Sequence, residues 1–250
     1  MQKDGITLEY KMAAGEVLHY KSEVVSVQTV QEPGAEPAIT ESTLNITIEQ
    51  KVVRAIEGSY ELEITISDGT VKTGSQVLPL ENLNGQKISM AMKRNGDIYN
   101  VSANMPFSQP SFPTHPLKLH ESWKTINPIK IPLNEEGHIK NYDLEYTHTL
   151  SSVEAIQGYD VAVVSIDCPK TDLKLSEDAH QTITAQGKTK FAHTLGRLVS
   201  SYVHTHTVVD AQEYVVTTDI KVSVDLEEPL RQANNHALPS SGEEQFILNN

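Results

Sequence analysis

Cysteine is almost absent from this sequence. One residue, Cys168, stands among 250, which excludes an intrachain disulfide and any Cys-x-x-Cys metal or redox arrangement. On the strand predicted around it, Cys168 reads as a small apolar core residue rather than a nucleophile. Aromatic residues are few, at 6%, and the 20 Lys and Arg are outnumbered by 33 Asp and Glu, for a net charge of −13. Such a chain lacks the clustered cations that nucleic acid and anionic membrane surfaces require. No apolar run approaches the roughly 18 residues of a spanning helix. The opening residues, MQKDGITLEY, show no basic segment followed by an apolar one. That start fits a cytoplasmic protein, or an exported one seen without its signal. Catalytic signatures are missing too: there is no GxSxG elbow, Walker loop, GxGxxG after a strand, or HExxH. No enzyme activity, metal or other cofactor is expected.

What is present is an internal repeat. Leu44 to Gly58, LNITIEQKVVRAIEG, recurs as Leu144 to Gly158, LEYTHTLSSVEAIQG, with Leu, Thr, Val, Ala, Ile and Gly at matching places. Each copy runs into an alternating segment, GSYELEITIS or GYDVAVVSID. A fixed period fixes architecture before any single residue is interpreted. Two related units follow: 1–104 as the first, 105–116 as a Pro-rich linker, 117–226 as the second, and 227–250 as a polar, loose tail.

Almost every segment alternates with period two and ends in turn residues, which predicts antiparallel sheet with few or no helices. The fold class expected is mostly β, either one curved sheet (a half-barrel) or paired sandwiches. Leu8, Tyr10 and Met12 read as one face of a strand turned by Ala13-Ala14-Gly15. A return strand spans Glu16 to Val30. Tyr60, Leu62, Ile64 and Ile66 form an inward row, and Ser67-Asp68-Gly69 reads as a turn. Gly85 and Gly187 read as equivalent turn glycines, as do Gly96 and Gly196. Asn134 to Gly137 reads as a polar turn. One short helix is expected near Lys170 to Ala179, and a last strand over Tyr214 to Leu226.

Three stretches carry a family likeness: a Tyr10 to Tyr20 hairpin of the Y-K-x-x-x-G-E-x-L-x-Y type, the second-unit start Pro116-Leu-Lys-Leu-His-Glu-Ser-Trp123, and the Gly187 to Ser200 hairpin. With these the chain resembles uncharacterised two-repeat, β-rich proteins of bacterial cell envelopes. His120-Glu121 stands where they more often carry Gly-Asp. The resemblance implies export to the periplasm or cell surface, often with a lipid anchor, and brings no activity. A looser architectural likeness is to half-barrel carriers of lipids and lipoproteins.

Histidine is the one unusual count, with 10 residues. His204 and His206 lie at i and i+2, roughly 7 Å apart on one strand face. That suits two ligands of one metal, with His148 the best third from another strand. The bland alternative, half-exposed histidines, is preferred. The repeat offers a better lead. Where the first copy has Leu44, Ile46 and Ile48, the second has Leu144, Tyr146 and His148; where the first has Ser102 and Asn104, the second has Tyr202 and His204. Rings with polar tips suit an apolar pocket with a few hydrogen-bonding groups. The ligand-binding residues expected are therefore Tyr142, Tyr146, His148, Tyr202 and His204, with Trp123 at the edge. The function expected is non-enzymatic binding of an apolar ligand or a protein partner. A structural envelope module without a pocket is the alternative.

Overall fold

Period-two alternation becomes strand almost everywhere. The computed structural model describes residues 5–102, 109–132, 139–227 and 230. Twelve strands run in chain order: β1 (Val17–Gln31), β2 (Ala38–Ile56), β3 (Ser59–Thr73), β4 (Gln76–Pro79), β5 (Lys87–Lys93), β6 (Ile98–Tyr99), β7 (Ser122–Pro132), β8 (Ile139–Ile156), β9 (Tyr159–Lys174), β10 (Ala179–Ala192), β11 (Arg197–Ala211) and β12 (Tyr214–Leu226). All join one antiparallel, unclosed sheet in the order β6-β5-β3-β2-β1-β12-β11-β10-β9-β8-β7, with β4 added to β3. The strand order β2-β3-β5-β6 recurs as β8-β9-β10-β11. The two halves meet where β1 pairs with β12.

The sheet is strongly curved, as two hydrogen bonds show. Tyr10 N donates to Arg94 O in the turn after β5, and Lys11 N donates to Gly196 O in the turn after β10. Those turns lie six strand spacings apart in the sheet order, roughly 29 Å if the sheet were flat. Consecutive residues reach both only because the sheet curls around them. Leu8, Tyr10 and Met12 are buried in that curl. They are extended but pair with no strand, which corrects the strand expected there. Residues 109–117 lie alongside: Phe112 N donates to Asn95 O, and Leu117 bridges Ile6. Together the two segments plug one end of the trough. Tyr10, Phe112 and Phe191 form its aromatic centre, with ring centroids 4.8–6.1 Å apart. The turn glycines Gly96 and Gly196 receive this plug. An added Cβ would stand 2.2 Å from Pro110 O at the first and 2.3 Å from Lys11 N at the second.

Four further readings change. Ser67-Asp68-Gly69 lies inside β3, where a register shift opposite Thr47 and Ile48 makes it a bulge rather than a turn. Gly187 sits mid-β10, and a Cβ there would lie 2.5 Å from Tyr202 O; close backbone approach, not turning, requires the glycine. No helix forms near Lys170 to Ala179. β9 and β10 continue to Lys174 and from Ala179, and Leu175 N closes the turn on Ala179 O. Pro169 falls at the bulge between Cys168 and Thr171, where its missing N–H costs no ladder bond. The tail is anchored at its start: Glu227 N donates to His19 O, and Leu230 is buried. The Asn134 to Gly137 turn and residues 231–250 lie outside the described residues.

At the edges, β6 has two residues, and β7 carries Pro128 and Pro132 with Lys124 and Lys130 facing outward. Short strands, prolines and lysines all discourage edge-to-edge pairing.

Candidate functional site

Residues directly opposite in an antiparallel pair share a face, so the register maps the inner surface row by row. One row reads Ile46, Ser22, Val224, Ser201, Thr189, Val164, Leu150 across β2, β1, β12, β11, β10, β9 and β8. Apart from half-buried Ser201, these side chains are packed under the plug. The next row outward reads Val71, Leu44, Val24, Val222, Val203, Gly187, Ile166, His148, Trp123, from β3 to β7. Every residue of this second row is only half-buried. Among the described residues the trough is thus solid below and open above, and a largely aliphatic belt marks the boundary.

On the β7–β12 side of this boundary lies a cavity of about 350 Å³. Its walls are Thr125 and Asn127 of β7, Tyr146 and His148 of β8, Ile166 of β9, Thr189 of β10, Ser201 and Val203 of β11, and Val222 of β12. Gln109, Pro110 and Ser111 form the remaining side. The indole of Trp123 stacks on His148 at 5.3 Å between centroids and 14° between planes. Thr125 Oγ1 lies 2.9 Å from His148 Nε2. Burial pushes the His148 imidazole below its ordinary value and the Tyr146 phenol above its own. Both rings are therefore neutral hydrogen-bonding groups near pH 7.

Of the expected site residues, the structure brings together Trp123, Tyr146 and His148. Tyr142 lies further along the same face of β8, packed on a second cluster with Leu144, Cys168 and Ile183, and its hydroxyl donates to Lys174 O. Tyr202 and His204 do not join them. Tyr202 opposes Lys188 and Ser223, and His204 opposes Gln186 and Lys221, all on the outer face. The pocket expected to unite the five rings is therefore not formed. The correction has a simple cause: each strand was assigned the right parity, but β11 was turned the wrong way round. The sequence held the missing signal. Gln212-Glu213 forms a two-residue turn, which fixes β11 against β12 so that Val203 meets Val222 and Tyr202 meets Ser223.

The paired histidines have a partner that spacing alone did not reveal. His204 Nε2 and His206 Nδ1 lie 2.8 and 3.0 Å from the same Asp219 Oδ1. These bonds, from His206 first and His204 second, hold the Asp219 carboxyl below the usual carboxylate range. His148, the expected third ligand, lies on the opposite face. Among the described residues no group of three or more His, Cys, Asp or Glu is placed to hold a metal ion. A wider outer-face depression of about 420 Å³ is lined by Lys21, Glu23, Asp68 and Asp225 and is open to solvent.

No family model and no curated protein matches the chain. Solved structures with a similar strand arrangement include lipovitellin, from a study of its lipid–protein interactions, at 14% identity and a TM-score of 0.45. The match covers 89% of this chain and 27% of that one. A LolA superfamily protein from Nitrosomonas europaea matches at 11% identity and a TM-score of 0.16, over 84% of this chain and 87% of its own. A DUF1329 family protein from Desulfovibrio piger gives 12% and 0.18, over the same shares. At these overlaps none transfers a ligand or an activity. This chain spans about a quarter of the lipovitellin chain.

Two half-buried histidines set a pH dependence. Unfolded, His148 takes up a proton near pH 6.5; folded, burial delays this to lower pH. Between the two values the unfolded chain holds more protons, so stability present above about pH 6.5 falls as the pH drops through the folded value. His193, also lowered by burial, acts in the same direction. The melting temperature should therefore decline from about pH 7.5 to about pH 5. His148→Gln, which cannot titrate, should make that slope shallower without abolishing it, since His193 keeps its share. An unchanged slope in the variant would assign the effect elsewhere.

Proposed function

We propose that this is a non-enzymatic binding protein that holds an apolar ligand in the trough, at the cavity walled by Tyr146, His148, Ile166, Val203 and Val222. The observation that carries the reading is the half-buried row from Val71 to Ile166, aliphatic apart from Gly187, which runs across seven strands above a solid floor and is covered by none of the described residues. A sheet made only as scaffold would cover such a surface with a second layer or make it polar. The cavity volume falls within the range of small-molecule sites, about 300–1,000 Å³. Placement outside the cytoplasm belongs to the same reading, on the strength of the resemblance to envelope proteins.

Trp123 is the only tryptophan and stacks on a cavity residue, so it reports occupancy directly. N-phenyl-naphthylamine should bind saturably at about one equivalent and accept excitation energy from Trp123. Val203→Lys places a charge on the inner row and should weaken binding about tenfold or more, in line with the cost of burying a charge. Tyr202→Lys, one residue away on the outer face, should leave it unchanged. Equal effects of the two variants, or no saturation, would sink the reading.

A further inference from the structure

The cavity is lined without a carboxylate, ammonium or guanidinium among the described residues; its polar groups are hydroxyls, amides, a phenol and an imidazole. The charged side chains nearest in register, Lys188, Asp167 and Lys221, have the opposite parity and face outward. A ligand carrying a charge would be desolvated there with no counter-ion, which is strongly unfavourable. Hydrogen-bonding capacity, by contrast, is left open. Tyr146 is half-buried among the cavity walls, and Asn127 is exposed there. A phenol and an amide can each donate to and accept from a ligand hydroxyl. Burial keeps His148 uncharged as well.

We infer that the site selects an uncharged amphiphile, whose hydroxyl-bearing head meets Tyr146 and Asn127 and whose hydrocarbon chain lies along the Val222–Val203–Ile166 row. This rests on the reading of that cavity as a ligand site. Fatty alcohols and monoacylglycerols have the required chemistry; ionised fatty acids and phospholipids do not.

The test compares ligands that share one palmitoyl-length chain. Hexadecanol and monopalmitoylglycerol should displace N-phenyl-naphthylamine, followed by Trp123 emission, at concentrations about tenfold or more below those needed for palmitate at pH 8 or for palmitoyl-lysophosphatidylcholine. Tyr146→Phe should weaken the alcohol and the glyceride about fivefold relative to N-phenyl-naphthylamine. Asn127, exposed on the edge strand β7 and lining the cavity, offers a variant that leaves the core untouched. Asn127→Lys should raise the affinity for palmitate relative to that for hexadecanol about tenfold. If palmitate binds the unaltered protein as tightly as hexadecanol, the selectivity is overturned and the ligand site stands. If no member of the series displaces the probe, the underlying reading falls with it.

Discussion

Arg197→Met should lower stability by about 3–5 kcal/mol, the cost of leaving a buried charge without its partner. Arg197 Nη2 lies 2.5 Å from Glu16 Oε1, and the two side chains are 8% and 11% exposed. Glu16 Oε2 also accepts from Ala13 N, holding the turn into β1. The pair thus ties the first residue of β11 to the entry of β1, at the plugged end of the trough. Because both partners are deeply buried, solvent screening does not reduce the effect as it does for a surface pair. The melting temperature should fall by roughly 10 °C. Glu16→Leu combined with Arg197→Met removes both charges and should recover most of the loss. A single variant that melts within about 2 °C of the parent would show that the pair contributes little.

Tyr10→Ala should cost a comparable amount, about 3–5 kcal/mol, through the cavity left in the aromatic plug. Tyr10 is 1% exposed, meets Phe191 edge-on at 5.0 Å, and donates its hydroxyl to Pro110 O at 3.2 Å. Phe112 links that cluster to Trp123, 6.4 Å away. The variant should therefore also shift tryptophan emission to the red as water enters. Tyr10→Phe keeps the packing and loses one hydrogen bond, for about 1 kcal/mol. Urea unfolding of the three proteins separates the two contributions. Equal losses in both variants would mean that the hydroxyl, not the ring, holds the plug.

Strand identity was legible wherever one face was consistently apolar. β12 matches its predicted limits, Tyr214 to Leu226, and the row Tyr60, Leu62, Ile64 and Ile66 is buried as its alternation required. Legibility failed where long-range pairing overrode local chemistry. Ser67-Asp68-Gly69 has turn composition, yet pairing with β2 absorbs it as a bulge. Gly187 resembles a turn glycine until the approach of the β11 backbone is known. The Pro-rich stretch read as a linker does more than its local composition shows. Gln109 and Phe112, from its described part, are buried, and Gln109 to Ser111 wall the cavity. Proline explains why that stretch leaves the ladder; only the curvature of the sheet, invisible in any local pattern, brings it back over the inner face.

The seam between β1 and β12 has a consequence for how the chain comes to be folded. Every other pairing in the sheet joins strands close in sequence, and such hairpins close within microseconds. The seam joins Tyr20 to Leu226 and Gln31 to Val215, the longest loop closure in the molecule, so it forms late. Until then both meanders present a long unpaired edge, and β1 carries Val24, Val25, Val27 and Val30 along it. Each edge is complementary to the other and equally to the same edge of a second molecule. Intramolecular closure proceeds at a fixed rate, whereas the competing exchange grows with concentration. Refolding yield should therefore be governed by dilution, with strand-swapped oligomers as the characteristic by-product of crowded conditions.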